Sequence, residues 1–115
     1  MTRGDAQRIG DIWDRIIAAR TAELYLVAAE SAEDNGLVGV AFDAILYDLL
    51  VIGEAVKALS PECRERHPDV PWSRISGMRD VLAHDYFRIR TGTVRRTMDE
   101  PLTVLEEACM RETAF

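Results

Sequence analysis

Arg79, Asp80, His84, Asp85 and Tyr86 fall within eight residues of one another, in the stretch Met78-Arg79-Asp80-Val81-Leu82-Ala83-His84-Asp85-Tyr86-Phe87. A guanidinium is a two-pronged donor that suits phosphate, and an imidazole exchanges its proton near neutral pH. The combination fits acid–base work on an anion. On a regular helix Arg79 and Tyr86 lie about 20° apart round the axis, whereas His84 lies about 140° from Arg79 and roughly 7.5 Å along it. Arg79 and His84 therefore meet at one phosphate if the helix frays near His84, or if a two-fold partner sets its own copy alongside. The second arrangement, two Arg and two His round a common cleft, is the expected one.

Each residue also has a plainer reading. His84 can be a helix C-terminal histidine favoured by the helix dipole. Arg79 can pair with a carboxylate, and Phe87 reads as core. His67, beside Pro68, reads as loop. Glu54, in Ile52-Gly53-Glu54, is either solvent-facing or a buried carboxylate bonded to the loop it packs on.

Other chemistries are poorly served. The sequence has no phosphate-cradling glycine loop, no His-Glu-x-x-His zinc helix, no paired-cysteine metal motif and no Gly-x-Ser-x-Gly elbow. Two histidines, His67 and His84, are too few for a multi-histidine centre in one chain, and no cofactor or metal is expected. Cys63 and Cys109 suggest neither a disulfide framework nor a zinc site. The net charge of −6 opposes generic nucleic-acid binding, but the charge is uneven. Eight of the fourteen basic residues stand between Cys63 and Arg96 against four acids, a basic middle inside an acidic shell.

The elements that must carry these residues read as helices. The 115 residues suffice for one domain, with 48% hydrophobic and 30% charged residues. Helical spacing of Ile9, Ile12, Trp13, Ile16 and Ala19, resumed by Leu24 and Val27, predicts a helix over about 5–30. Asn35-Gly36 reads as its terminator and loop. Phe42, Ile45, Leu46, Leu49, Ile52, Val56 and Leu59 share one face of a central helix over about 37–59. Its most apolar stretch contains Asp43 and Asp48, which argues against a membrane span. Ser60-Pro61 starts a short helix reaching His67. Asp69 to Trp72 reads as loop, and Ser76 caps a helix over about 77–86. The last helix runs from Thr91 or Thr93 to about Met110, bearing Val94, Met98, Leu102, Leu105 and Cys109, with Pro101 kinking or breaking it. The fold expected is all-α, an up-and-down bundle of four main helices and a short one. The amino terminus shows no apolar signal core, so a cytosolic location is expected.

Arg79, four intervening residues, His84, one residue and Tyr86 resemble the Arg-x4-His-x-Tyr motif of the HepT-like family in the HEPN superfamily. Ile52-Gly53-Glu54-Ala55, Leu59-Ser60, His67-Pro68, Pro71-Trp72 and Ile75 to Arg79 resemble it in order and spacing, as does a closing helix with Pro101. The likeness covers about residues 5–110. It implies a homodimeric bundle whose Arg79 and His84 line a cleft between protomers, and a metal-independent ribonuclease acting as a toxin. It implies a small nucleotidyltransferase as antitoxin, silencing the toxin by binding or by attaching AMP to Tyr86, and possible higher assembly with that partner. Asp80 stands where many relatives carry Asn; it can hold Arg79 in place or repel RNA. The ribose 2′-hydroxyl would be the nucleophile, with a 2′,3′-cyclic phosphate as product and no metal needed. The alternative is a non-catalytic HEPN module, or a nucleotide-binding partner of a nucleotidyltransferase.

Overall fold

The computed structural model describes residues 3–85, 89 and 91–113. Among them, six helices follow one another: α1 (Arg3–Ser31), α2 (Asn35–Ala58), α3 (Pro61–Glu65), α4 (Trp72–His84), α5 (Thr91–Met98) and α6 (Glu100–Thr113). No strand occurs among the described residues. The chain is all-α, as its helical periodicity predicts.

α1 and α2 form the backbone of the bundle, with α4 on α2 and α6 on α1. α1 buries Ile9, Ile12, Ile16 and Ala19, then Ala22, Leu26 and Ala29. Leu24 and Val27 do not resume the stripe; they are 72% and 52% exposed. Steps of three and four from Ala19 lead to Ala22 and Leu26, while Leu24 is about 140° away. α2 buries Ile45, Leu46, Leu49, Ile52 and Val56 as expected. A buried Ile or Leu contributes about 1.5–3 kcal/mol, enough for such a stripe to fix the packing. α2 is long and apolar enough to cross a membrane by length and composition, but it also carries Asp48, which is buried and bonded to Arg15 at 3.1 Å.

The α1–α2 turn differs from expectation. Asn35 and Gly36 are the first residues of α2, and the reversal lies just before them. Glu33 takes the left-handed conformation (φ 55°), and Asp34 caps α2 by accepting from the Leu37 amide at 3.1 Å. The α2–α3 junction is tied back to α1. The buried Asp5 carboxylate accepts from the Ser60 amide at 2.9 Å and from its hydroxyl at 2.6 Å, and Ser60 Oγ caps α3.

α4 begins at Trp72, five residues before the start expected from Ser76. Pro71 has φ −79°, near the helical value, and the Trp72 indole donates to the carbonyls of Arg64 and His67, both at 3.0 Å. Ser76 is inside the helix and its hydroxyl bonds the Ser73 carbonyl. The closing segment breaks at Asp99, which leaves Pro101 in the first turn of α6, where its missing N–H costs no helical bond. Val94, Met98, Leu102, Leu105 and Cys109 are all buried.

Candidate functional site

α4 crosses α2 at Gly53. A Cβ there would collide with the Arg79 Cβ, so a residue without a side chain lets the two helices close. This contact sets the root of Arg79 against α2, beside Glu54. The Arg79 Nε donates to Glu54 Oε1 at 2.6 Å, and Nη2 pairs with the same oxygen. The third nitrogen, Nη1, turns back along α4 and donates to Asp80 Oδ1 at 3.3 Å. Asp80 Oδ1 also accepts from Lys57 Nζ, at 2.6 Å. A chain of alternating charge therefore joins α2 and α4: Glu54, Arg79, Asp80, Lys57.

The electrostatics follow from these bonds. Glu54, then Asp80, keeps the Arg79 guanidinium even more firmly protonated than usual. Lys57 first and Arg79 second hold the Asp80 carboxyl below the usual carboxylate range. Arg79 is three-quarters covered, whereas Glu54, Asp80 and Lys57 are roughly half exposed.

His84 is the last residue of α4 and is exposed. The helix stays hydrogen-bonded to its end, where the Asp85 amide meets the Val81 carbonyl at 2.7 Å, so it does not fray at His84. The Arg79 and His84 side chains leave the axis about 140° apart. Asp80 stands between them. It is four residues before His84, hence on the neighbouring position of the same face, and its carboxylate is the group that Arg79 reaches round to meet. Tyr86 lies outside the described residues, as does Phe87.

The sequence left two readings for Glu54, solvent-facing or buried against a loop. It is exposed, and its partner is Arg79 on the neighbouring helix. The partnership joins residues 25 apart, and no local spacing signals it. No motif marks Lys57, whose partner Asp80 is 23 residues away. His67 is a loop residue as read, but a buried one. Its Nε2 is 2.6 Å from Glu112 Oε1, which also accepts from Arg66 Nε at 2.8 Å, and Arg111 Nη2 lies 3.3 Å from His67 Nδ1. This cluster ties the end of α6 to the α3–α4 loop. Cys63 and Cys109 are free and buried, and burial pushes the Cys109 thiol up to about 12, which makes it unreactive.

The other prominent surface feature is an apolar groove of about 560 Å³ between α1 and α2. Tyr25, Leu37, Val40 and Tyr47 line it, all substantially exposed, with the Arg15–Asp48 pair among its walls. Val40, Tyr47 and Glu54 are spaced seven apart on α2 and lie along one line of the helix, of which the groove covers the part up to Tyr47.

The family model described as "Ribonuclease HepT-like" matches residues 13–112. The chain belongs to the HepT-like family. Among curated relatives, a protein of Caldanaerobacter subterraneus subsp. tengcongensis named "Putative RNase" is 44% identical over 64 residues, 56% of this chain and 57% of the relative. A Methanocaldococcus jannaschii protein also named "Putative RNase" is 44% identical over 54 residues, 47% of each chain. One of Thermococcus cleftensis named "Probable ribonuclease HepT" is 33% identical over 63 residues, 55% of this chain and 57% of the relative. The match thus spans about half the length of these relatives. No solved structure matches the chain.

Proposed function

We propose that this chain is a metal-independent endoribonuclease, the cytosolic toxin of a toxin–antitoxin pair, with Arg79 and His84 as its catalytic residues. One observation carries the reading: in a HepT-like chain, Arg79 is clamped by Glu54 and its remaining edge donates to the half-exposed Asp80, one helical turn before an exposed His84.

The chemistry is transesterification. The ribose 2′-oxygen attacks phosphorus as its proton passes to a base, the bond to the 5′-oxygen breaks, and that oxygen takes up a proton. The products are a 2′,3′-cyclic phosphate and a 5′-hydroxyl. His84 serves as base or acid, work worth roughly 10²–10⁴ in rate. Arg79 donates to the non-bridging oxygens as charge builds there. The internal nucleophile makes a metal unnecessary, and DNA, lacking the 2′-hydroxyl, resists.

Arg79 and His84 leave α4 in different directions, so the working site is placed at the cleft of a homodimer. The groove lined by Val40 and Tyr47 supports this, since a contiguous exposed apolar face is what a self-associating surface presents. The antitoxin is a nucleotidyltransferase that silences the toxin by binding it or by attaching AMP to Tyr86. The added bulk and negative charge would repel the substrate phosphate. The test is cleavage of RNA by the wild type, Arg79→Ala and His84→Ala, with an intact-mass comparison of protein made with and without the antitoxin. Both substitutions are expected to abolish cleavage and growth arrest while leaving the dimer intact. Toxicity that survives both removes Arg79 and His84 from the reaction.

A second reading is supported by the two carboxylates already on Arg79: a non-catalytic HEPN module that binds the nucleotidyltransferase. It predicts intact RNA at high protein concentration and a complex that persists in His84→Ala.

A further inference from the structure

Lys57 is the chain's single lysine, and it stands three residues after Glu54 on α2, just under one turn. Its ammonium and the Arg79 guanidinium both donate to Asp80 Oδ1, at 2.6 and 3.3 Å. Two donors sharing an oxygen at such distances lie at most about 6 Å apart. One anionic oxygen between an ammonium and a guanidinium is the arrangement that proteins offer to a phosphodiester oxygen.

The four charged groups do not hold one another equally. Glu54 takes the Nε and Nη2 edge of Arg79, so that side chain keeps its place when Asp80 departs. Asp80 is 49% exposed and Lys57 43% exposed, and an ion pair so open to water exchanges readily. Asp80 is also the acid that shares a helix face with His84, one turn on. An anion in the position of its carboxylate would sit on the face that carries the imidazole.

Resting on the reading that this site cleaves RNA, we propose that Lys57 is a second phosphate-binding cation, and that Asp80 fills, in the absence of substrate, the position an RNA phosphodiester takes between Lys57 and Arg79. Asp80 is then an internal competitor. An aspartate carboxyl is charged at neutral pH in any case, and the same two cations hold this one lower still, so it competes as an anion. Lys57 in this role contacts substrate; an ordinary interhelical salt bridge would only hold α2 to α4.

The experiment measures binding of a fluorescein-labelled single-stranded RNA by anisotropy across a potassium chloride series, in the His84→Ala background to prevent turnover. Lys57→Ala is expected to weaken binding about five- to tenfold and to reduce the slope of log K against log salt by about 0.7. Lys57→Arg should retain both the affinity and the slope. Asp80→Asn should tighten binding about two- to fivefold, the scale of an exposed ion pair removed from competition. In the cleaving protein the same substitutions should move kcat/KM in the same order. An unchanged salt slope in Lys57→Ala overturns the proposal, as does weaker binding in Asp80→Asn. RNA that binds with a Lys57-dependent slope but is not cut by the wild type removes the ribonuclease reading and leaves Lys57 as a phosphate-binding cation of a site that only binds RNA. RNA that fails to bind the wild type overturns both.

Discussion

Gly53 and Arg79 share a contact with no spare volume: a Cβ at position 53 would overlap the Arg79 Cβ and lie 3.1 Å from its Cγ and 3.3 Å from its Cα. The obstructing atoms belong to the backbone end of the side chain, which cannot rotate away. Gly53→Ala must therefore push α4 off α2. The expected cost is about 1–3 kcal/mol in urea unfolding, the range for overpacked sites. Cleavage should fall further than stability predicts, because the displaced element carries Arg79. A variant as stable and active as the wild type would show that α4 need not sit so close.

Glu54 acts through Arg79. It holds the Nε and Nη2 edge and leaves Nη1 to Asp80, the edge that would meet the substrate in the proposed reaction. Glu54→Ala removes the clamp, and an unanchored guanidinium samples unproductive positions. The expected loss is about 10- to 100-fold in kcat, with a smaller change in KM, as for a misplacement of about 1 Å. Glu54→Gln keeps an acceptor and should recover part of kcat. Equal losses in both variants would show that the charge of Glu54, and not an acceptor alone, holds Arg79, and a change confined to KM would assign Glu54 to substrate binding.

These two relationships also mark how far the sequence is legible. Stripes such as Ile9 to Ala19 and Ile45 to Val56 are local, so periodicity finds them, and the helical class with them. Periodicity misassigns Leu24 and Val27 because Arg20 interrupts the apolar pattern there. The small residues Ala22 and Ala29, which carry the core face onward, are weak signals. Arg79 and His84 are visible as a motif within six residues. Glu54 and Lys57 are not, since each meets its partner across two helices, at separations of 25 and 23 residues. His67 likewise reads as loop until α6 brings Glu112 to it from 45 residues away.

Glu112 gives the fold an acid-sensitive latch. The Arg66 hydrogen bond, then that from His67, holds its carboxyl below the usual range. An acid with a depressed folded value contributes stability that is full above its unfolded value, about 4.3, and fades as the pH falls through the folded one. Glu112→Gln should therefore cost about 1–3 kcal/mol at pH 7 and progressively less below about pH 4.5. Urea unfolding at several pH values checks this. A cost that stays constant through the acid range would mean that shape, and not charge, holds the latch.

Asp48 has the opposite sign. Burial raises its carboxyl above the ordinary value, and Arg15 only partly offsets this. A raised acid favours the folded state when protonated, and that contribution is lost as pH rises through the folded value. Asp48→Asn should then be neutral or stabilising by up to about 1 kcal/mol at pH 7, and should match the wild type in acid. Arg15, 37% exposed, can turn to water when its partner is gone. Thermal unfolding at pH 4 and pH 7 distinguishes this from a pair that stabilises the fold, for which the substitution would be harmful at pH 7.

Val40 and Tyr47 lie on the α2 line that leads to Glu54, at 66% and 60% exposure, so neither is needed to fill the core of one chain. If two copies meet on this face, a charge at either position must be buried unpaired against its own symmetry mate, a strongly unfavourable juxtaposition. Val40→Glu and Tyr47→Glu should therefore yield monomers by light scattering at concentrations where the wild type is a dimer. Their thermal unfolding should remain cooperative, because the substituted positions face water in the isolated chain. Cleavage should fall with the dimer fraction and return at high protein concentration, a dependence that damage to a self-contained site would not produce. Dimers that persist in both variants would move the interface off this groove, and full activity in a monomer would place the entire site within one chain.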